Sequence, residues 1–146
     1  MKVLVCGGRK FTNYDAAEKY LDMLNSIYRF ALVIHGNQQG ADACADRWAR
    51  SRHIDVQAFP AAWVEHGNSA GPIRNGRMLR EGKPDLVVAF PGNRGTRDML
   101  KQSRRVPNLK IINLDEANVR TEVERQWRTV MDRSIISATG GACPNR

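Results

Sequence analysis

Three glycine-rich turns carry the residues of this 146-residue chain that are best suited to bind a phosphate. Each turn follows a short apolar run and precedes a segment with helical spacing. The turns are Gly7-Gly8-Arg9, Gly36-Asn37-Gln38-Gln39-Gly40-Ala41-Asp42 and Pro91-Gly92-Asn93-Arg94-Gly95-Thr96. Glycine permits close approach of a backbone to a ligand, and the start of a helix offers free N–H groups to an anion. Because arginines accompany two of the turns, the pattern favours a phosphate pocket.

Several groups in these turns are candidates for direct ligand contacts. We expect the Thr96 side chain and the Gly95 backbone N–H, at a helix start, to bind phosphate. Arg9 is expected to face the ligand crevice and to contact a phosphate or a base. Asp42 either contacts a ribose or a substrate amine, or is simply a carboxylate favoured by the helix dipole. The turns do not fit the dinucleotide-binding fingerprint G-x-G-x-x-G. The chain also lacks G-x-x-x-x-G-K-[ST], which argues against a P-loop nucleoside triphosphatase.

Five apolar runs predict the strands that would position these turns. They are Lys2–Cys6, Ala31–His35, Ile54–Phe59, Asp85–Phe90 and Leu109–Leu114. Nearly continuous apolar strands that alternate with helices are typical of a parallel sheet covered on both faces. We therefore expect an α/β fold, a Rossmann-like three-layer sandwich with a mainly parallel sheet of about five strands. In such sheets ligands bind beyond the carboxyl ends of the strands, where the strand order reverses.

Helical spacing predicts the connecting elements. The predicted helices are Asp15–Arg29 with Asn13 as its cap, Ala41–Arg52, Pro72–Arg80, a segment from Thr96 to Arg105, and a C-terminal amphipathic helix carrying Val119, Val123, Trp127, Val130 and Met131. We expect Pro60–Gly71 to be a loop. Trp63 in this loop either covers the core, which is the interpretation we favour, or stacks on a base. No repeat or long linker divides the chain, so we predict a single domain over residues 1–137 and a flexible tail over 138–146.

Composition and cysteine usage exclude several protein classes. With 42% hydrophobic and 26% charged residues the chain is typical of globular proteins. No apolar run approaches the ~18 residues that span a bilayer, and the N-terminus lacks a signal-peptide pattern, so we expect a cytoplasmic protein without membrane contacts. Cys6, Cys44 and Cys143 are too few and too scattered for a disulfide framework or a zinc site; the first two are expected to be buried. No metal site is predicted, although Mg²⁺ bridging a phosphate to Asp42 or Asp98 is conceivable.

The net charge of +8 is unevenly distributed. Residues 1–73 contain eight basic and seven acidic residues, and residues 74–146 contain fifteen and eight, so the halves carry +1 and +7. This asymmetry suggests an anionic partner, either a phosphorylated small molecule or a nucleic acid. A merely soluble basic surface is the other interpretation.

Four groups of residues occur in an order that resembles one family. They are Val5-Cys6-Gly7-Gly8-Arg9, His35-Gly36 with Gly40-Ala41-Asp42, Ala70-Gly71-Pro72-Ile73-Arg74-Asn75 with Met78, and Ala89-Phe90-Pro91-Gly92 with Gly95-Thr96. Over about residues 2–114 the chain is similar to the YspA-like branch of the SLOG superfamily. That superfamily includes the Lonely Guy phosphoribohydrolases and the DNA-processing protein DprA. The resemblance implies a Rossmann-like fold, a nucleotide-type ligand, and a homodimer or higher oligomer with the helix Arg74–Arg80 at its interface.

The resemblance also implies roles for particular residues. The phosphoribohydrolases carry R-x-x-x-M and PGGxGTxxE; Arg74 falls on their catalytic arginine, and Asn93 replaces the second glycine of the loop. Their essential glutamate falls on Met99, whose thioether cannot stabilise an oxocarbenium-like cation. The adjacent Asp98 is the remaining carboxylate, although one residue turns a helix by about 100°. Asn75 orients a sugar hydroxyl or braces the turn.

Three functions follow from these residues. The first is binding of a nucleotide or nucleotide-derived molecule, for sensing, sequestering or processing, with the phosphate on Gly92–Thr96 and neutralised by Arg74 and by Arg94 or Arg9. The second is hydrolysis of the N-glycosidic bond of a nucleoside 5′-monophosphate, with Arg74 and Asp98 as catalytic residues. The third, less favoured because no helix-turn-helix or aromatic platform accompanies it, is nucleic-acid binding through a basic patch. That patch comprises Arg97, Lys101, Arg104, Arg105 and Lys110.

Overall fold

Five parallel strands form a single sheet in the order β3-β2-β1-β4-β5. The computed structural model describes residues 1–141, with side chains to residue 135. The strands are β1 Lys2–Cys6, β2 Leu32–His35, β3 Asp55–Ala58, β4 Leu86–Ala89 and β5 Lys110–Asn113. The predicted α/β, Rossmann-like fold is confirmed, and each strand lies within its predicted run because β-branched and apolar residues suit a sheet buried on both faces.

Helices connect the strands and cover the sheet. Their bounds are α1 Tyr14–Tyr28, α2 Ala41–Ser51, α3 Trp63–His66, α4 Ala70–Gly82, α5 Arg94–Ser103 and α6 Ala117–Gly141. Asn13 caps α1 as predicted, because its side chain accepts a hydrogen bond from the Ala16 N–H at 3.1 Å. Pro72 lies in the first turn of α4, where its missing N–H leaves no helical bond unmade. Among the described residues, no helix is long and apolar enough to cross a membrane.

Two of the sequence-based boundaries differ from the structure. The segment 60–71 is not a continuous loop: it contains α3, a 3₁₀ turn at Gly67–Ser69 and the start of α4. The predicted start of the tail, residue 138, falls within α6, which continues to Gly141. Residues 142–146, including Cys143, lie outside the described residues. Apolar spacing in the sequence does not predict the short α3, because this helix buries none of its residues.

The alternation of side chains along β1 divides the core between the two faces of the sheet. Val3 and Val5 pack in a cluster with apolar residues of α1, α2 and α6, whereas Leu4 and Cys6 pack with residues of α4 and α5. Cys6 and Cys44 are buried, as predicted. Each face therefore anchors the helices whose first turns border the strand ends.

The strand order reverses between β1 and β4. The chain runs outward from β1 through β2 to β3, and then returns to add β4 on the other side of β1. The two central strands are in register, with Val5 opposite Val88 and Cys6 opposite Ala89. Because the loops after β1 and β4 leave in opposite directions, a crevice opens between them.

Candidate functional site

A cleft of about 850 Å³ lies at the carboxyl ends of β1 and β4. Its lining comes from the loop after β1, from α3 and α4, from the loop after β4 and from the first turns of α5. Most of the predicted site residues meet there: Gly7, Gly8, Arg9, Asp42, Arg74, Asn75, Pro91, Gly92, Asn93, Arg94, Gly95, Thr96 and Asp98. Gly36 and Gly40 are absent from the lining.

The glycines of the first and third turns allow the two loops to pack backbone against backbone. The Gly8 N–H donates to the Pro91 carbonyl at 2.8 Å. A Cβ on Gly92 would lie 2.1 Å from Thr96 Oγ1 and 2.7 Å from the Gly8 nitrogen, and one on Gly7 would lie 2.5 Å from Ala41 Cβ. Such distances leave no space for a side chain. These glycines therefore set the width of the cleft floor.

Gly36 and Gly40 do not line the cleft but pack against residues that do. Gly40 has a φ of +78°, and a Cβ there would lie 2.2 Å from the Gly8 carbonyl oxygen. A Cβ on Gly36 would lie 2.5 Å from Arg74 Nη1. The second glycine turn thus supports the first turn and gives room to the Arg74 guanidinium.

Arg74 presents a buried cation to the cleft. It is 6% exposed; Nη1 donates to the Gly36 carbonyl, and Nε donates to Asn75 Oδ1 at 3.0 Å. Its Nη2 has no hydrogen-bond partner among the described residues and is accessible from the cleft. Burial lowers the pKa of Arg74, an effect that the nearby Asp42 carboxylate opposes. A buried guanidinium with free donors is suited to a phosphate or a carboxylate ligand.

Asp42 supplies the opposite charge beside Gly36. Its Oδ2 accepts the backbone N–H groups of Gly36 at 3.1 Å and Gln38 at 3.3 Å. Burial raises the pKa of the Asp42 carboxyl, while the nearby Arg74 guanidinium and the two N–H bonds oppose that shift. Asp42 therefore both orders the second glycine turn and reaches the cleft.

His35 is a structural residue behind this group. Its Nδ1 accepts from the Asn37 N–H at 2.9 Å, and its Nε2 is 2.8 Å from Asp46 Oδ2. With Nδ1 acting as acceptor, the proton of the neutral ring lies on Nε2 and points to Asp46. Both ring nitrogens are thus occupied, which leaves none for acid–base chemistry.

The first turn of α5 faces the cleft without a cap. Among the described residues, no side chain bonds to its free N–H groups, and a Cβ on Gly95 would meet no atom within 4 Å. The first N–H groups of any helix lack partners within the helix and carry a partial positive charge. Thr96 is 7% exposed, and its Oγ1 has no partner among the residues described. The N–H groups and the hydroxyl are consequently free to bind an anion.

Asp98 is the carboxylate that α5 presents to the cleft. Its Oδ2 accepts from Asn75 Nδ2 at 3.0 Å and from Gln102 Nε2 at 2.7 Å. Met99 is 1% exposed and packs in the core beneath the sheet with Leu4 and Cys6. The position that matches the glutamate of the phosphoribohydrolases, Met99, thus points into the core, and its neighbour Asp98 lines the cleft.

Sequence reasoning missed part of the cleft wall. The expectation that Trp63 covers the core is wrong: Trp63 is 45% exposed and lines the cleft. Further lining residues that sequence reasoning did not single out include Lys10, Phe11, Asn68 and Asp115. Gln38 also lines it, and its place inside a glycine turn was a usable signal. In the described residues no group of three His, Cys, Asp or Glu side chains is placed to hold a metal ion.

The fold and the cleft define a Rossmann-like α/β protein whose site lies where the strand order reverses. Residues 1–66 match the family described as YAcAr: YspA, cpYpsA-related SLOG family. The Gene 61 protein of Mycobacterium phage D29 is 32% identical over 126 residues, which cover 79% of this chain and 97% of that protein. The chain belongs to the YspA, cpYpsA-related SLOG family. Membership suggests a nucleotide-related ligand in general terms, and the matched range ends before Arg74 and α5.

Proposed function

We propose that this protein binds a nucleotide or a nucleotide-derived small molecule, with its phosphate on the first turn of α5. Family membership supports the ligand class only at the level of a nucleotide-related molecule. The finer assignment depends on the groups that line the cleft.

One observation carries the proposal. Arg74 and Thr96 are each more than nine-tenths buried, and each directs a polar group without a protein partner toward the same cleft. In the described residues every fully buried side-chain polar atom has a hydrogen-bond partner, so these two unpartnered atoms are accessible to solvent and hence to a ligand. The uncapped N–H groups of α5 add a third set of free donors. Donors without acceptors call for an anionic ligand rich in oxygen, which is what a phosphate supplies.

The charges of the cleft point the same way. Arg9, Lys10, Arg74 and Arg94 line it, against Asp42, Asp98 and Asp115. Asp98 Oδ2 accepts hydrogen bonds from two side-chain amides, and the carboxylate lies on the side of α5 that faces α4. Its other oxygen, Oδ1, is a suitable acceptor for a ribose hydroxyl. The phosphate and the sugar of the ligand would thus contact neighbouring residues of the same helix, α5.

A second candidate function, hydrolysis of a nucleoside 5′-monophosphate to a base and ribose 5-phosphate, is favoured by Asp98 alone. Asn75 and Gln102 hold this carboxylate at the cleft, where a carboxylate can stabilise a developing sugar cation. Water would attack the anomeric carbon as the C–N bond breaks, and the base would leave with a proton. Met99 does not take part because it is in the core.

The test is incubation of the purified protein with a panel of mono-, cyclic and ADP-ribose-type nucleotides, followed by mass spectrometry of the bound and the free fractions. We expect an intact nucleotide in the bound fraction. Arg74→Lys, which keeps the charge but loses the fork of donors, should weaken binding by about tenfold or more. Arg77→Lys is the matched control, since Arg77 is exposed on the same helix and pairs with Glu81.

The outcomes separate the candidates. Free base and ribose 5-phosphate would establish the hydrolase instead of a binding module. Absence of any bound or converted nucleotide would contradict both, and would leave the basic patch of α5 and β5, whose five residues are exposed, as the remaining hypothesis. The predicted self-association through α4, where Ile73 is exposed, stays a prediction that sedimentation of the same sample would check.

A further inference from the structure

An indole and a guanidinium form one wall of the cleft. Arg9 Cζ lies 5.3 Å from the centroid of the Trp63 ring, and Arg9 Nε donates to Gln38 Oε1 at 3.1 Å. The Trp63 ring also lies over Gly71, where an added Cβ would be 3.6 Å from its Cη2 atom. Contacts with Gly71 and Arg9 therefore hold the indole at the cleft, although α3 itself buries none of its residues.

The exposure of Trp63 sets it apart from the other tryptophans. Trp48 is fully buried and donates from Nε1 to Asp22, and Trp127 lies on α6 away from the cleft. Trp63 is 45% exposed. Its free aromatic surface therefore borders the same cavity as the phosphate donors of α5.

We infer that Trp63 and Arg9 form a base-stacking subsite, so that the ligand is a nucleoside phosphate and not a sugar phosphate alone. This inference rests on the proposed function, because it assumes that the phosphate binds at α5. Nucleobases stack on aromatic rings and on the planar guanidinium groups of arginines, and this stacking does not depend on which base is present. A cleft of about 850 Å³ accommodates base, ribose and phosphate together.

The base-stacking subsite predicts that the base contributes part of the binding affinity, in addition to the sugar phosphate. Adenosine 5′-monophosphate should bind more tightly than ribose 5-phosphate, by about 5- to 150-fold if one base stacks on one ring. Trp63→Ala should reduce that ratio to nearly one while leaving the affinity for ribose 5-phosphate unchanged. Trp63→Phe should keep most of the ratio. Calorimetric titration of the three proteins with both compounds measures it.

Fluorescence gives a readout that does not depend on Trp63→Ala remaining folded. In a Trp127→Phe protein, the exposed indole is Trp63, since Trp48 is fully buried. Adenosine 5′-monophosphate should quench its emission, and ribose 5-phosphate should not. Trp127→Phe itself should bind both compounds as the wild-type protein does.

Two results are informative in different ways. Equal affinity of the wild-type protein for both compounds, or unchanged emission with adenosine 5′-monophosphate bound, would overturn the base subsite and leave the phosphate site standing. Failure of both compounds to bind would overturn the phosphate site, and the subsite with it.

Discussion

Replacement of Thr96 by valine tests the phosphate site most directly. The two side chains have nearly the same shape, so the change removes the hydroxyl and little else. Oγ1 has no protein partner among the described residues, so its loss leaves no donor or acceptor unpaired in the free protein. We therefore expect the free energy of unfolding to change by less than about 1 kcal/mol.

The effect on the ligand should be much larger. A hydrogen bond to a charged group contributes about 1.5–3 kcal/mol, which corresponds to a rise in Kd of about 10- to 150-fold. Calorimetric titration with adenosine 5′-monophosphate and with ribose 5-phosphate should show the same rise, because both carry the phosphate. Arg97→Ala, a change at an exposed residue of the same helix that does not line the cleft, is the control. If Thr96→Val binds both compounds within about twofold of the wild-type affinity, the phosphate does not lie on α5.

Three further predictions concern the residues around this turn. If the protein is a hydrolase, Asp98→Asn should lower kcat by about 100-fold or more and preserve binding, and full turnover would remove Asp98 from the mechanism. Gly40→Ala should lower the free energy of unfolding by at least about 1–3 kcal/mol, because the positive φ of Gly40 and the nearby Gly8 carbonyl both oppose a Cβ. Gly95→Ala is the control, because a Cβ at Gly95 would lie in open space and should not destabilise the protein. Denaturant titrations of both variants measure the difference. Burial raises the pKa of the Asp42 carboxyl in the folded state above its ordinary value, so the stability of the wild-type protein relative to Asp42→Asn should fall over the range above about pH 4, where the unfolded chain releases this proton more readily than the folded one. A difference in Tm that stays constant over that range would contradict the assignment.

The sheet could be predicted from the sequence because local and tertiary preferences agree there. Lys2–Cys6 is both the predicted and the observed β1, since a β-branched run ends at two glycines. α3 could not be predicted, because it lacks a side-chain cap and buries no residue. The orientation of Trp63 depends on Gly71 and Arg9, which are distant or polar neighbours that apolar spacing does not reveal.

The position of the cleft could be predicted from the sequence, but the structural contribution of each residue could not. A glycine-rich turn indicates close approach of a backbone, but the residue type does not say to what. At Gly40 the approaching group is the Gly8 carbonyl, and at Gly36 it is the Arg74 guanidinium. The turn at Gly95 is different, because the space above it is open. Only the three-dimensional packing separates the glycines that support the cleft from the one that faces open space.

The packing of α5 explains how this cleft has free hydrogen-bond donors for an anion but lacks the glutamate of the phosphoribohydrolases. Thr96, Met99 and Leu100 are buried and fix the rotation of the helix on the sheet. With that rotation fixed, the free N–H groups of the first turn still point to the cleft, whereas the position of the missing glutamate points into the core. A carboxylate can return to the cleft only from a neighbouring position on the helix, and Asp98 occupies one, with Asn75 and Gln102 bonded to it. Under the proposed function, phosphate binding and sugar chemistry would therefore depend on different residues of one helix, so that either could change while the other is preserved.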